Sequence, residues 1–361
     1  MVNENKNIIS IKSNKINESE LFIKYKSSYK SAFFDFSLHL ILVYFSFNLV
    51  KLYKNTWLSI ITVPLLCLLN LKTFIIFHDC GHNSYTPNKY LNTILSHILG
   101  VLVSTNPMWI PHHDVHHITN GIIKNDYGYK FNEIVYITVQ KYQKFSEFNK
   151  LLYRFIYNPF VYFNLVPFIF FFLVQRYIYF YKHFFSNNKA KKNLNISSFY
   201  VIFTHLFNNI GMLLLYYALF KNGLMLYYFI TLHITSALGF FLFFNQHTFN
   251  PSYVFDNNEN WNYKDSGLKG SSLILVPYFL KYFTGGIEYH HIHHFNSKIP
   301  NYNLQSFHKE VISKSNIFDN IIKLSIYDCL NNLSLTLYDE KKNKYVTVKE
   351  ADEEINKNKD I

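Results

Sequence analysis

Three short runs of this chain concentrate residues able to hold a metal. His78-Asp79-Cys80-Gly81-His82 places two imidazoles four positions apart. His112-His113-Asp114-Val115-His116-His117 and His290-His291-Ile292-His293-His294 each contain the spacing H-x-x-H-H, as His113, His116 and His117 and as His290, His293 and His294. On a helix, positions i, i+3 and i+4 share one face, so each run can aim its rings at a common region. His247, just after an apolar stretch, adds a ninth candidate. A zinc site takes three or four protein ligands, so nine imidazoles exceed one ion and suit two ions with four or five each. Imidazole serves Fe, Zn, Cu and Ni alike, and the residues alone leave the metal open. Asp79, Asp114 and Glu288 lie beside these histidines and are expected to accept their second ring N–H, fixing tautomer and orientation. Trp109, Pro111, Thr119-Asn120-Gly121, Gly285-Gly286 and Ile299-Pro300 flank the runs and argue for ordered turns, not a metal-scavenging low-complexity tract.

The elements that must carry these runs are apolar. Phe33 to Val50, Trp57 to Phe77, Phe160 to Tyr181, Ser198 to Phe220 and Leu224 to Phe244 are each long enough to cross about 30 Å of hydrocarbon. An odd number of crossings would put the histidine runs on opposite faces, so one stretch is expected not to cross. Phe160 to Tyr181 is preceded by Lys141, Lys144, Lys150 and Arg154 and followed by Lys182, Lys189, Lys191 and Lys192, so both flanks read as cytosolic. It also carries Pro167, Gln175 and Arg176 and is expected to be interfacial or re-entrant. Leu91 to Ser104 is too short to span and is expected to lie at the interface. The expected fold is therefore an all-α integral membrane protein. Four transmembrane helices form two hairpins, with turns at Lys51 to Thr56 and Lys221 to Gly223, beneath a cytosolic histidine-rich cap.

Composition agrees once it is divided. The 361 residues average to a mean hydropathy near zero, which merges apolar spans with Lys- and Asn-rich polar segments. Charged residues are only 16% against an ordinary one-quarter, which excludes a wholly disordered chain. Cys67, Cys80 and Cys329 are too few for a disulfide framework or a thiolate zinc site. Residues 1–32 form a polar segment without the apolar core of a secretory signal, 33–335 the membrane domain, and 336–361 a charged tail expected to be mobile or loosely helical. Both termini are expected in the cytosol.

HDCGH, HHDVHH and YHHIHH, together with QHTFNPSYVF and GIEYHHIHHFNSKIPNYNLQ, resemble the membrane fatty acid desaturases over roughly Phe33 to Leu335, with the omega-6 (delta-12) branch nearest. The resemblance implies a non-haem centre of two Fe held by His78, His82, His113, His116, His117, His290, His293 and His294, with His247 as a further ligand, and O2 as co-substrate. His112 and His291 fill variable positions. His39, His97, His183, His205, His233 and His308 have no partner at ligand spacing and are expected to be structural. For His205 and His233, inside apolar stretches, Asn208, Asn209 or Thr235 are the expected hydrogen-bond partners.

A desaturase-like reaction takes two hydrogens from adjacent unactivated methylenes, so the substrate, a fatty acyl lipid or acyl thioester, must be selected by the shape and depth of an apolar tunnel. It also needs two external electrons. The chain has no His-Pro-Gly-Gly haem sequence, flavin fingerprint or cysteine cluster, so the donor is expected to be a separate ferredoxin or b-type cytochrome. The formal charge of +12 suits an acidic donor and equally suits anionic membrane lipids; no nucleic-acid partner is expected. The same scaffold supports an acyl or alkane hydroxylase or a carotenoid-modifying oxygenase. A metal transporter would instead need ionisable residues at mid-membrane depth in several helices. Lys357-Asn358-Lys359-Asp360-Ile361 resembles a dilysine retrieval signal, which would place a eukaryotic protein in the endoplasmic reticulum; otherwise the plasma membrane is expected.

Overall fold

The computed structural model describes residues 18–123, 137–185, 196–257 and 259–357. Lys189, Lys191, Lys192 and Lys359 lie outside the described residues, as do residues 1–17. The described residues are mostly helical. Helices α1 (Glu18–Tyr25), α2 (Tyr29–Tyr53), α3 (Ser59–Gly81), α4 (Lys89–Leu102), α5 (Trp109–Thr119) and α6 (Glu147–Ile156) lead to a long helical run α7 (Pro159–Phe185). Then come α8 (Ser198–Lys221), α9 (Met225–His247), α10 (Tyr263–Lys269), α11 (His290–Phe295), α12 (Asn301–Lys314) and α13 (Val348–Lys357), with shorter helical turns between. A two-residue parallel ladder joins β1 (Leu273–Ile274) to β2 (Lys323–Leu324), and β3 (Leu335–Asp339) pairs antiparallel with β4 (Lys344–Thr347).

Among the described residues five helices, α2, α3, α7, α8 and α9, are long and apolar enough to cross a membrane. At their C-terminal ends they run beyond the apolar stretches that mark them, because hydrogen bonding sets a helix end whereas hydropathy marks only its apolar part. Ser28 caps α2, its side chain accepting from the Ser31 N–H, so α2 begins before Phe33. At its other end α3 continues through His78 to Gly81. Phe33, Tyr44, Trp57, Ile60 and Leu213 are exposed, an uncovered apolar belt of the kind lipid covers. α3 is the hub: it packs against α2, α4 and α9.

Residues 160–181 belong to one helical run of 27 residues that is long and apolar enough to span. The run is broken at Leu165 and passes through a π-helical stretch at Phe170–Val174. Arg176 sits just beyond it, with Nε donating to Phe172 O at 3.0 Å, Nη1 to Asn208 Oδ1 at 2.7 Å and Nη2 to the Ser104 carbonyl. The expectation of a mobile or loosely helical tail is revised for its described residues, which form a hairpin and a helix packed on the rest of the chain. β3, β4 and α13 bury Leu337, Val346 and Ala351 against Val139, Tyr142 and Tyr153, and Arg154 pairs with Asp352 at 2.9 Å.

Candidate metal centre

Local sequence dictates how each histidine reaches the centre. His78 stands in the last turn of α3 and His82 caps it. Gly81 lets the start of α5 come close: a Cβ there would lie 2.7 Å from Ile110 Cγ1. Asn106 Oδ1 accepts from Met108 N at 2.9 Å and starts α5, which carries His113, His116 and His117. Gly286, at φ +80°, turns the chain toward α11; a Cβ there would sit 2.6 Å from Asn301 O. α11 then presents His290, His293 and His294, while His247 ends α9.

All nine candidate ligands are buried and fall into two groups. One contains His78, His82, His113, His117 and His293; the other His116, His247, His290 and His294. Within the first, Nε2 atoms lie 3.0 Å apart for His78 and His113, 3.3 Å for His78 and His82, 3.2 Å for His113 and His117, and 3.0 Å for His117 and His293. Within the second the separations are 3.1 Å for His116 and His247, 3.2 Å for His116 and His294, and 2.9 Å for His247 and His290. Ligand nitrogens at about 2.1 Å from one ion and at right angles to each other stand about 3.0 Å apart, so both groups fit a transition-metal ion. Burial, with neighbouring imidazoles adding to it, pushes His82, His113, His116, His117, His290, His293 and His294 well below the ordinary imidazole pKa. Each is therefore neutral at pH 7 with a lone pair to give, as a metal ligand must be.

Two of the three carboxylates lie beside a ring nitrogen of a candidate ligand. Asp79 Oδ1 is 3.3 Å from His78 Nδ1 and its Oδ2 accepts from Asn301 N at 2.6 Å; Asp114 Oδ1 is 3.1 Å from His82 Nδ1. Glu288 does not face a ligand: it accepts from Thr284 Oγ1 at 2.7 Å, because the 3-10 turn at Ile287–Tyr289 rotates it off the α11 face. His247 Nδ1 is instead 3.0 Å from Gly270 O.

The other histidines are elsewhere. His112 stacks on Tyr179, with centroids 3.9 Å apart, and His291 Nε2 meets His308 Nδ1 at 3.2 Å. His39 pairs with Thr73, His97 with Thr204 and His183 with Ser198. His205 meets Asn106 at 3.2 Å and not Asn208 or Asn209, which Arg176 engages; His233 packs on Phe168, while Thr235 donates to Cys67 O.

A cavity of about 400 Å³ opens onto both groups, with His78, His113 and His290 in its wall. Its sides are apolar, including Phe74, Phe168, Phe171, Phe240 and Phe243 from α3, α7 and α9. Trp109, read from sequence only as part of a turn, also lines it and stacks on His113 with centroids 4.5 Å apart. The lining extends to Asn70, eight residues before His78 and so about 12 Å along α3.

Comparison with known proteins gives the same picture. Residues 55–316 match the family described as fatty acid desaturase. A "Fatty acid desaturase" of Bacillus subtilis is 32% identical over 282 residues, covering 76% of this chain and 73% of that protein. An "sn-1 oleoyl-lipid 12-desaturase" of Picosynechococcus is 23% identical over 245 residues, 66% of this chain and 64% of that one. An "sn-2 acyl-lipid omega-3 desaturase (ferredoxin), chloroplastic" of Arabidopsis thaliana is 33% identical over 78 residues, 21% of this chain and 17% of that one. The match spans all three histidine runs and the helices that line the cavity, and the chain belongs to the fatty acid desaturase family of membrane oxidoreductases.

Proposed function

We propose that the nine histidines hold two iron ions, one in each group, and that the enzyme uses O2 and two external electrons to place a cis double bond in a fatty acyl chain. The observation that carries this reading is the apolar cavity whose wall includes ligands of both groups, His78 and His113 from one and His290 from the other. When bound, the irons supply the oxidising chemistry that an unactivated methylene requires. The protein's own residues position and exclude. The phenylalanine walls accept a chain without a polar handle and keep water from it. Trp109, stacked on His113, holds that ring in plane. Asp79 and Asp114 accept the Nδ1–H of His78 and His82, leaving Nε2 of each to face the ion.

Names among the relatives support an acyl-lipid substrate and a ferredoxin donor, with a b-type cytochrome as the other donor class. We assign the double bond to the delta-12 (omega-6) position; the 12-desaturase relative supports this, and the omega-3 names mark the competing position. For topology we infer four crossings with cytosolic termini. His78 ends α3 in one group and His247 ends α9 in the other, and α5 and α11 each supply both groups, while the three residues Asn222 to Leu224 return the chain from α8 to α9. The path from α3 to α8 then begins and ends on one side, so α7 enters and returns.

Expression in a host without polyunsaturated lipids, followed by mass spectrometry of total fatty acid methyl esters, tests the reading. A new double bond that His290→Ala abolishes is the expected result. A hydroxy acid would move the enzyme to the hydroxylases, and no product despite iron loading and a competent donor would refute both.

A further inference from the structure

Beyond residue 316, outside the region matched to the family, the chain folds back onto the end of α9. The last carbonyls of any helix lack partners within it and, when buried, need a donor from elsewhere. In α9, Asn245 O accepts from Ser272 Oγ at 3.0 Å and Gln246 O from Ser272 N at 3.0 Å. His247 O accepts from the Tyr345 hydroxyl of β4 at 3.3 Å. His247 and Tyr345 are both buried, so water is a poor substitute for that phenol.

The hairpin is held in register with this segment. Asn250 Nδ2 donates to Tyr345 O and Asn250 Oδ1 accepts from Tyr345 N, each at 2.9 Å, so one side chain satisfies both backbone groups of Tyr345. Ser252 Oγ donates to Asn343 O at 2.8 Å, and Val254 packs with Tyr338 and Tyr345. The same stretch reaches α5 from its other end. Phe255 N donates to Gly121 O at 2.7 Å and Ile123 N to Phe255 O at 2.9 Å, directly beyond the helix that carries His116. Residues 248–255 thus lie between the hairpin and two helices that supply the same group of imidazoles.

We propose that the C-terminal β-hairpin is a clasp for the group formed by His116, His247, His290 and His294, with Tyr345 as the positioning residue for His247. This rests on the two-iron reading above. The hydroxyl anchors the backbone of His247 while Gly270 O anchors its Nδ1, and together they direct Nε2 toward His116 and His290.

The test uses the full-length protein purified in detergent and loaded with iron, with metal per chain measured by mass spectrometry and release followed with a chromogenic chelator. The wild type is expected to hold two irons. Tyr345→Phe, which deletes one oxygen, is expected to release one of them about tenfold faster and leave the other unchanged; Asn250→Ala is expected to act in the same direction. His247→Ala weakens the same site, so adding Tyr345→Phe to it should change nothing further. In His293→Ala, where the other ion is weakened, Tyr345→Phe should accelerate loss of the iron that remains. Unchanged release in both Tyr345→Phe and Asn250→Ala, or equal acceleration with and without His247, overturns the clasp. A wild type holding fewer than two irons overturns the two-iron reading itself, and the clasp with it.

Discussion

Filling the cavity from Gly239 offers a direct reading of how the acyl chain lies. Gly239 lines the cavity eight residues before His247, about 12 Å along α9. A Cβ built there meets only Leu71 Cδ1, at 3.6 Å, an ordinary contact, so Gly239→Ala fits without rearrangement. Gly239→Leu adds four carbons, which displace about four methylenes of a bound chain; at about 0.8 kcal/mol each the loss is about 3 kcal/mol. That is roughly a 200-fold fall in kcat/KM for acyl chains long enough to pass this point. Shorter chains end before it and lose nothing. The substitution also removes a helix-interior glycine, which favours folding by about 1 kcal/mol, so instability does not confound the result. The assay is the desaturated product profile from a host offered mixed acyl lengths, resolved by gas chromatography and mass spectrometry. The ratio of long to short products should collapse in Gly239→Leu and hold in Gly239→Ala. An unchanged ratio in Gly239→Leu would mean that the substrate does not run along α9, and the reasoning from the cavity would fall.

Three further outcomes are expected. His293 and His294 are neighbours in sequence but belong to different groups, so His293→Ala and His294→Ala should each leave one iron per chain and the double variant none, with product lost in all three; metal analysis checks this. Arg176→Leu strands the Asn208 side-chain oxygen and the Ser104 carbonyl, costing at least about 2 kcal/mol, seen as faster thermal inactivation in detergent, and Arg176→Lys should not rescue it because it lacks the guanidinium fork. Glu310, in contact with Lys24, Lys314 and Tyr25, is held down to about 2, the hydrogen bond from Lys24 being the largest cause. A carboxyl depressed in the folded state stabilises it above the unfolded value near 4.5, and that contribution is lost as pH falls through about 2. The contact of α1 with α12 should therefore loosen across that acidic range, read as proteolysis or hydrogen exchange in α1, and Glu310→Gln should loosen it at neutral pH.

Eight of the nine histidines were legible because their spacing is local, and His247 from its place just after an apolar stretch, but their division between two groups was not. Successive helical residues turn by about 100°, so i+3 falls about 60° to one side of i and i+4 about 40° to the other. "One face" hides that difference. His78 with His82, His113 with His117 and His290 with His294 each share a group at spacing i+4, whereas His116 and His293, the i+3 members, cross to the opposite group. Each H-x-x-H-H helix is thus a wedge between two sites, and its own geometry joins them. What stayed hidden depends on distant partners. The β3–β4 hairpin reads as a charged tail because much of its core comes from Tyr142 and Tyr153, nearly two hundred residues earlier. Arg176 reads as a reason not to enter a membrane, yet Asn208 and Ser104 satisfy it. The fork of Arg176, beside the π-helical stretch, holds α7 against α8 and against the turn that follows α4. The proposed four crossings rest on distant partners too: α3 and α9 end at the two histidine groups, His78 in one and His247 in the other, and α5 and α11 each supply both groups.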